Sequence, residues 1–215
     1  MKTVNLKKKV ALKSFALATV ILVSMAFVSC EKESDDYVTQ NTLSEETTLK
    51  SGKSLSPGDE SIASIAIGAG FTELVGALFY VDDYLETELV DMFLNGTDQY
   101  TVFAPTNDAF QALYDSEDLE SLLGKEVNNI MDIPAEIVLN VLLYHVTDGR
   151  RAANSVVPKK NPKTIETLLE GATFNVDKDG MIWAVGNMAT IMTPNISASN
   201  GIIHVIDNVI LPLEL

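Results

Sequence analysis

Residues 101–110 of this chain read TVFAPTNDAF, and this stretch constrains the fold most tightly. Tyr100 to Ala104 is rich in β-branched and aromatic residues, the composition of a strand. Pro105 has no N–H to give to a ladder and stops it. Thr106, Asn107 and Asp108 are each good helix N-caps, so Ala109 to Tyr114 is expected to be a helix. Two more segments follow in order. Leu143 to Val146 (LYHV) closes an apolar helix, and Ser199 to Asp207 (SNGIIHVID) is an Asn200-Gly201 turn feeding a strand over Ile202 to Ile206.

The remaining periodicities fill in the frame. Ser61 caps a short helix through Ile62, Ile65 and Ala66, ended by Gly68 and Gly70. Phe71, Leu74, Val75 and Leu78 recur at helical spacing. A third helix is expected to start at Asp82 and Asp83 and to end at Asn95-Gly96. Pro134 suits the first turn of a further helix carrying Ile137, Val138, Val141, Leu142 and Tyr144, with Gly149 as a breaker. The period then changes to two. Phe174 and Val176 alternate with Thr173, Asn175 and Asp177, and Asp179-Gly180 turns the chain into Met181 to Val185. Ala189 to Met192 is expected to be a strand ended by Pro194. Helices first and strands later read as an α+β fold.

The three segments, in this order and spacing, resemble the signature of the fasciclin domain, over about Glu60 to Leu215 in a single copy. That resemblance implies a compact β-wedge of about seven strands with helices packed around it, mostly N-terminal. It also implies an adhesive, non-enzymatic module with no cofactor. Two binding motifs are proposed for adhesive members. One is an Asp-Ile pair just upstream of the last segment, matched here by Asn195 and Ile196, so the acid is an amide. The other is the Tyr-His region, matched by Tyr144 and His145. Core packing is the competing and preferred role for the Tyr-His region.

The amino terminus reads as an address. Lys7 to Lys9 precede an almost wholly apolar run from Ser14 to Ser29, which is short for a spanning helix and fits a secretory signal. It stops at Phe27-Val28-Ser29 directly before Cys30, the chain's sole cysteine. This resembles the cleavage box of bacterial lipoproteins and implies lipidation of Cys30 and attachment to a membrane. The acidic Glu31 to Asp36 resembles the surface-export signals of some outer-membrane lipoproteins. The expected organisation is a signal peptide over 1–29, a disordered acidic tether over 30–58 and the domain over 59–215. The implied location is the outer membrane or cell surface.

One cysteine makes no intramolecular disulfide, so the fold rests on packing. From Cys30 onward the chain holds 10 basic and 30 acidic residues, a formal net of −20. Such a protein repels polyphosphates, which argues against nucleic acid as a partner. Half of those basic residues fall within 14 positions: Arg150, Arg151, Lys159, Lys160 and Lys163. They are either a patch for an anionic glycan or acidic partner, or a solvated loop balancing acidic neighbours, the reading preferred here.

Catalytic patterns fail on context. Gly52-Lys53-Ser54 lacks the earlier glycine of a phosphate loop, and Gly68-Ala69-Gly70 is followed by Glu73 where a dinucleotide fingerprint needs glycine. Asp177 to Gly180 (DKDG) is a fragment of a calcium loop and reads better as a turn. The two histidines, His145 and His204, would need a further ligand to hold zinc, and each lies next to apolar positions that favour a core role. The chain is therefore expected to bind a surface protein or glycan. An envelope carrier or sensor of small ligands is the alternative, requiring a concave apolar pocket.

Overall fold

The computed structural model describes residues 56–214. The signal segment, the lipidation expected at Cys30 and the tether as far as residue 55 lie outside the described residues.

The helices come first. α1 (Ile62–Gly68) starts at Ser61, whose Oγ accepts the Ser64 N–H at 3.3 Å. α2 (Thr72–Leu85) continues through Asp82 and Asp83, so the third helix does not begin there; α3 is Leu89–Leu94. Asp82 acts instead as a remote cap. Its Oδ1 accepts the Leu89 N–H at 2.8 Å, its Oδ2 accepts the Val90 N–H at 2.8 Å, and Thr87 Oγ1 donates to Oδ1. A carboxylate at the end of one helix thus satisfies the orphan donors of the next, where the helix dipole favours negative charge.

β1 (Tyr100–Pro105) leads into α4 (Asn107–Tyr114) through Thr106, whose Oγ1 accepts the Ala109 N–H at 3.2 Å. α5 (Glu117–Leu123), capped by Ser116, and α6 (Ala135–Tyr144) follow. β2 (Val146–Asp148), α7 (Ala153–Val156) and β3 (Lys163–Glu166) come next. β4 (Thr173–Val176), β5 (Met181–Trp183), β6 (Met188–Ala198) and β7 (Gly201–Ile206) complete the described elements.

The seven strands form one sheet in the order β2-β1-β7-β6-β5-β4-β3. β1 runs parallel to β7, and the other pairings are antiparallel. β6 does not stop at Pro194. The register shifts on either side of Thr193, so Pro194 and Asn195 lie in the irregular stretch before pairing resumes at Ile196. A bulge leaves residues unpaired, which is where a proline without an N–H is tolerated. Asn195 takes a left-handed conformation there, φ 69°.

The first part of β6 pairs with β5 and the rest with β7, and the irregular stretch lies within the part paired with β7. Leu168, just beyond β3, donates its N–H to Val146 O of β2 at 2.8 Å. The two ends of the strand order therefore meet, giving a nearly closed wedge. Its interior holds Phe103, Tyr144, Ile165, Phe174, Ile182 and Ile206, with Phe103 and Tyr144 each edge-on to Phe174. Val102, Ala104 and Ile203 belong to a second core with the helices, including Leu74, Val81, Phe110 and Leu142. β1 alternates between the two cores.

The chain enters and leaves at opposite ends of β6. Gly58 N–H donates to Ala198 O at 3.1 Å, and Ser199 N–H to Glu60 O at 2.7 Å. Near the carboxyl end, Gly186 N–H donates to Leu211 O at 3.1 Å and Asn187 Nδ2 to Val209 O at 2.7 Å. At ~3.3 Å per residue the two places are separated by about 30 Å along the strand.

Candidate functional site

The structure places each motif residue in a defined environment, and most of those environments are internal. Tyr144 is fully buried, and its hydroxyl donates to Thr173 O at 2.8 Å. His145 caps the end of α6. Ile210 N–H donates to its Nε2 at 3.0 Å, so the proton sits on Nδ1, which donates to Val141 O at 2.7 Å. Burial drives the His145 pKa down to about 4, the bond to Val141 O opposing this only in part.

His204 makes the mirror arrangement. Asn195 N–H donates to its Nδ1 at 3.2 Å, and its Nε2 donates to Arg151 O at 2.9 Å. Burial lowers its pKa as well. Each histidine thus joins a backbone donor to a backbone acceptor as a neutral ring. With both nitrogens engaged, neither ring offers a lone pair to a metal or a free base to a substrate.

Asn195 belongs to the same network. Its Oδ1 accepts the Ala153 N–H at 2.7 Å at the start of α7, while its backbone supports His204. Ile196 is partly buried against the helical core. The pair that matches the Asp-Ile motif is therefore built into the framework, its amide oxygen spent on a helix start.

The basic residues do not act alike. Arg150 reaches Ala198 O at 2.8 Å, Gly201 O at 2.5 Å and Ser56 O at 3.0 Å, and it also donates to Ser197 Oγ. Burial pulls its pKa down. It clamps the entering chain to the β6–β7 turn. Arg151 Nε donates to Asp148 O at 2.9 Å and its N–H to Thr101 Oγ1 at 2.8 Å. Lys163 Nζ donates to Ser155 O. Lys159 and Lys160 are exposed.

A crevice of about 40 Å³ lies under the helices, lined by Leu74, Phe110, Ile133, Val138, Leu142 and Leu211 among others. It has room for a few water molecules, well below the ~300 Å³ or more of a small-molecule pocket.

One exposed feature lies outside the sequence motifs. Trp183 and Met188 are paired across β5 and β6, each 48% exposed, with Val185 and Met192 exposed nearby. The signal was present in the period-two alternation, which buries Ile182 and turns Trp183 outward.

A nearly closed wedge whose signature side chains are spent on its own backbone is a scaffold built around those side chains. The chain belongs to the fasciclin family: the Fasciclin domain model matches residues 71–212. It is similar to protein sll1483 of Synechocystis, 37% identical over 78% of this chain and 83% of that protein. It is 31% identical to the immunogenic protein MPB70 of Mycobacterium bovis, over 59% of this chain and 56% of that one. The match to pig transforming growth factor-beta-induced protein ig-h3, 28% identical, takes in 57% of this chain but only 16% of that protein. The FAS1 domain pair of the insect cell adhesion molecule Fasciclin I shares the fold, with a TM-score of 0.51 at 16% identity over 72% of this chain and 51% of that structure.

Proposed function

We propose that this protein is a lipid-anchored, cell-surface fasciclin-domain protein that mediates adhesion by weak binding to another protein or a glycan, without catalysis. The observation that carries this reading is the fasciclin match across residues 71–212, with a structural neighbour drawn from a cell adhesion molecule. The anchor rests on the position of Cys30 directly after the apolar run. Several acyl chains at about 0.8 kcal/mol per buried CH₂ hold a protein firmly, and many weak modules on one membrane gain avidity. The small volume of the apolar crevice favours adhesion over small-ligand carriage.

The test pairs anchor with adhesion. Cells producing the full chain should incorporate labelled fatty acid into it, and Cys30→Ala should abolish incorporation. Beads coated with the purified chain should bind cells or a glycan array above uncoated beads. Equal binding by coated and uncoated beads would reject the adhesive role. Labelling that survives Cys30→Ala would reject the anchor.

A further inference from the structure

We infer that Trp183, Met188 and Asp177 form a recognition site for a lysine or arginine side chain carried on an apolar-flanked segment of a partner protein. Trp183 and Met188 face each other across β5 and β6 on the solvent side, and Val185 and Met192, close in sequence, are exposed as well. A half-exposed indole beside thioethers is a surface that repacks around apolar partner groups.

Asp177 supplies the charge. Its Oδ1 accepts the N–H groups of Asp179 and Met181 at 2.9 and 3.0 Å, which fixes the carboxylate on the hairpin turn. Its Oδ2 lies 3.4 Å from the Trp183 indole nitrogen. Partial burial acts against ionisation here, but these contacts and Lys178 outweigh it and hold the carboxyl below its ordinary range. An aromatic ring and an ionised carboxylate side by side attract the same ligand, a cation, through the ring quadrupole and through charge. Lys178, the nearby cation of the turn, is engaged by Asp179 at 2.6 Å. Asp207, which accepts the Thr190 N–H at 2.6 Å on β6, adds further negative charge. The overall excess of acid steers a cationic partner in and discourages a second copy of this chain.

The site also lies toward the end of β6 opposite the one that holds Gly58. It rests on the adhesion reading only for its biological setting.

Trp183 is the chain's one tryptophan and therefore its own reporter. Titration of the full-length chain with a synthetic peptide of alternating Arg and Leu should shift and saturate its emission. A Glu-Leu peptide should not. Asp177→Asn keeps the Oδ1 acceptor of the turn but removes the carboxylate charge, and should weaken binding at least threefold. Trp183→Leu, followed by anisotropy of labelled peptide, should weaken it likewise, with melting curves confirming that both variants fold. Equal shifts with Arg-Leu and Glu-Leu peptides would overturn the proposal, as would unchanged affinity in Asp177→Asn. No saturable Arg-Leu peptide binding by a chain whose coated beads still adhere would sink this site and leave adhesion standing. Peptide binding without bead adhesion would support the site and sink adhesion.

Discussion

His145 receives the backbone N–H of Ile210 on its Nε2 at 3.0 Å, which ties the end of α6 to the segment after β7. That bond needs a neutral ring, and it makes stability depend on pH. The folded pKa is about 4, against about 6.5 in an unfolded chain, because burial disfavours imidazolium. As pH falls from about 6.5 toward 4, the unfolded state binds the proton and the folded state does not. Stability is therefore full above about pH 6.5 and declines below it, by roughly 3 kcal/mol from this residue. His204 shifts the same way and adds to the loss. Urea unfolding at pH 7.5 and 5.0 should show the decline, and His145→Gln should be less stable at pH 7.5 but lose less on acidification. An unaltered pH slope in that variant would assign the effect elsewhere.

Asn195 combines a left-handed backbone with a side-chain bond to Ala153 N–H. Asp fits both demands, so Asn195→Asp should stay within about 0.5 kcal/mol of the parent. Asn195→Gly keeps the backbone and loses the bond, about 1 kcal/mol. Asn195→Ala loses the bond and adds strain, for a total of about 2–3 kcal/mol. Chemical denaturation of the three should give that rank order. Alanine matching glycine would show that the conformation carries no strain.

Arg150 and the lysine pair should separate cleanly. Arg150→Ala removes a donor from the carbonyls of Ala198, Gly201 and Ser56, and a loss of about 2 kcal/mol is expected. Arg150→Lys should recover little of it, since an ammonium does not reproduce a planar fork. Lys159→Glu with Lys160→Glu should leave the melting temperature within a degree or two. Any change in glycan-array binding by that double variant then reports on recognition alone.

Asp82→Ala should destabilise the α2–α3 junction by about 1–2 kcal/mol, because the N–H groups of Leu89 and Val90 lose their acceptor. Hydrogen exchange should locate the effect, with Leu89 and Val90 amides exchanging faster than those of α2. Uniform acceleration across both helices would mean that Asp82 supports more than the cap.

The strand-turn-helix corner at Pro105 and Thr106, the cap at Ser61, the helix start beside Pro134 and the hairpin at Asp179-Gly180 are all legible, because each depends on chemistry within a few residues. The short elements were not. β2, α7 and β3 span 3–4 residues each, too few to show a period, and they exist because neighbouring strands supply their partners. Asp82 was misplaced for a related reason. An acid before an apolar run signals a helix start, and here it does cap one, but from seven residues upstream while still inside α2. Pro194 read as a stop because the irregular pairing that accommodates it depends on β7. The core roles of His145 and His204 followed from their apolar neighbours; their backbone partners at Ile210, Val141, Asn195 and Arg151 are distant contacts that only the fold brings together or adjacent ones that only the helix end aligns.

The bond from Leu168 to Val146 bears on how copies of such a domain behave when crowded together. Unpaired strand borders are templates on which identical chains stack into fibrils. Here the terminal strands of the order turn toward each other within one molecule, so little of that template is on offer. Among the described residues, neighbours then meet mainly through their side chains, which keeps contact between them reversible and readable by substitution.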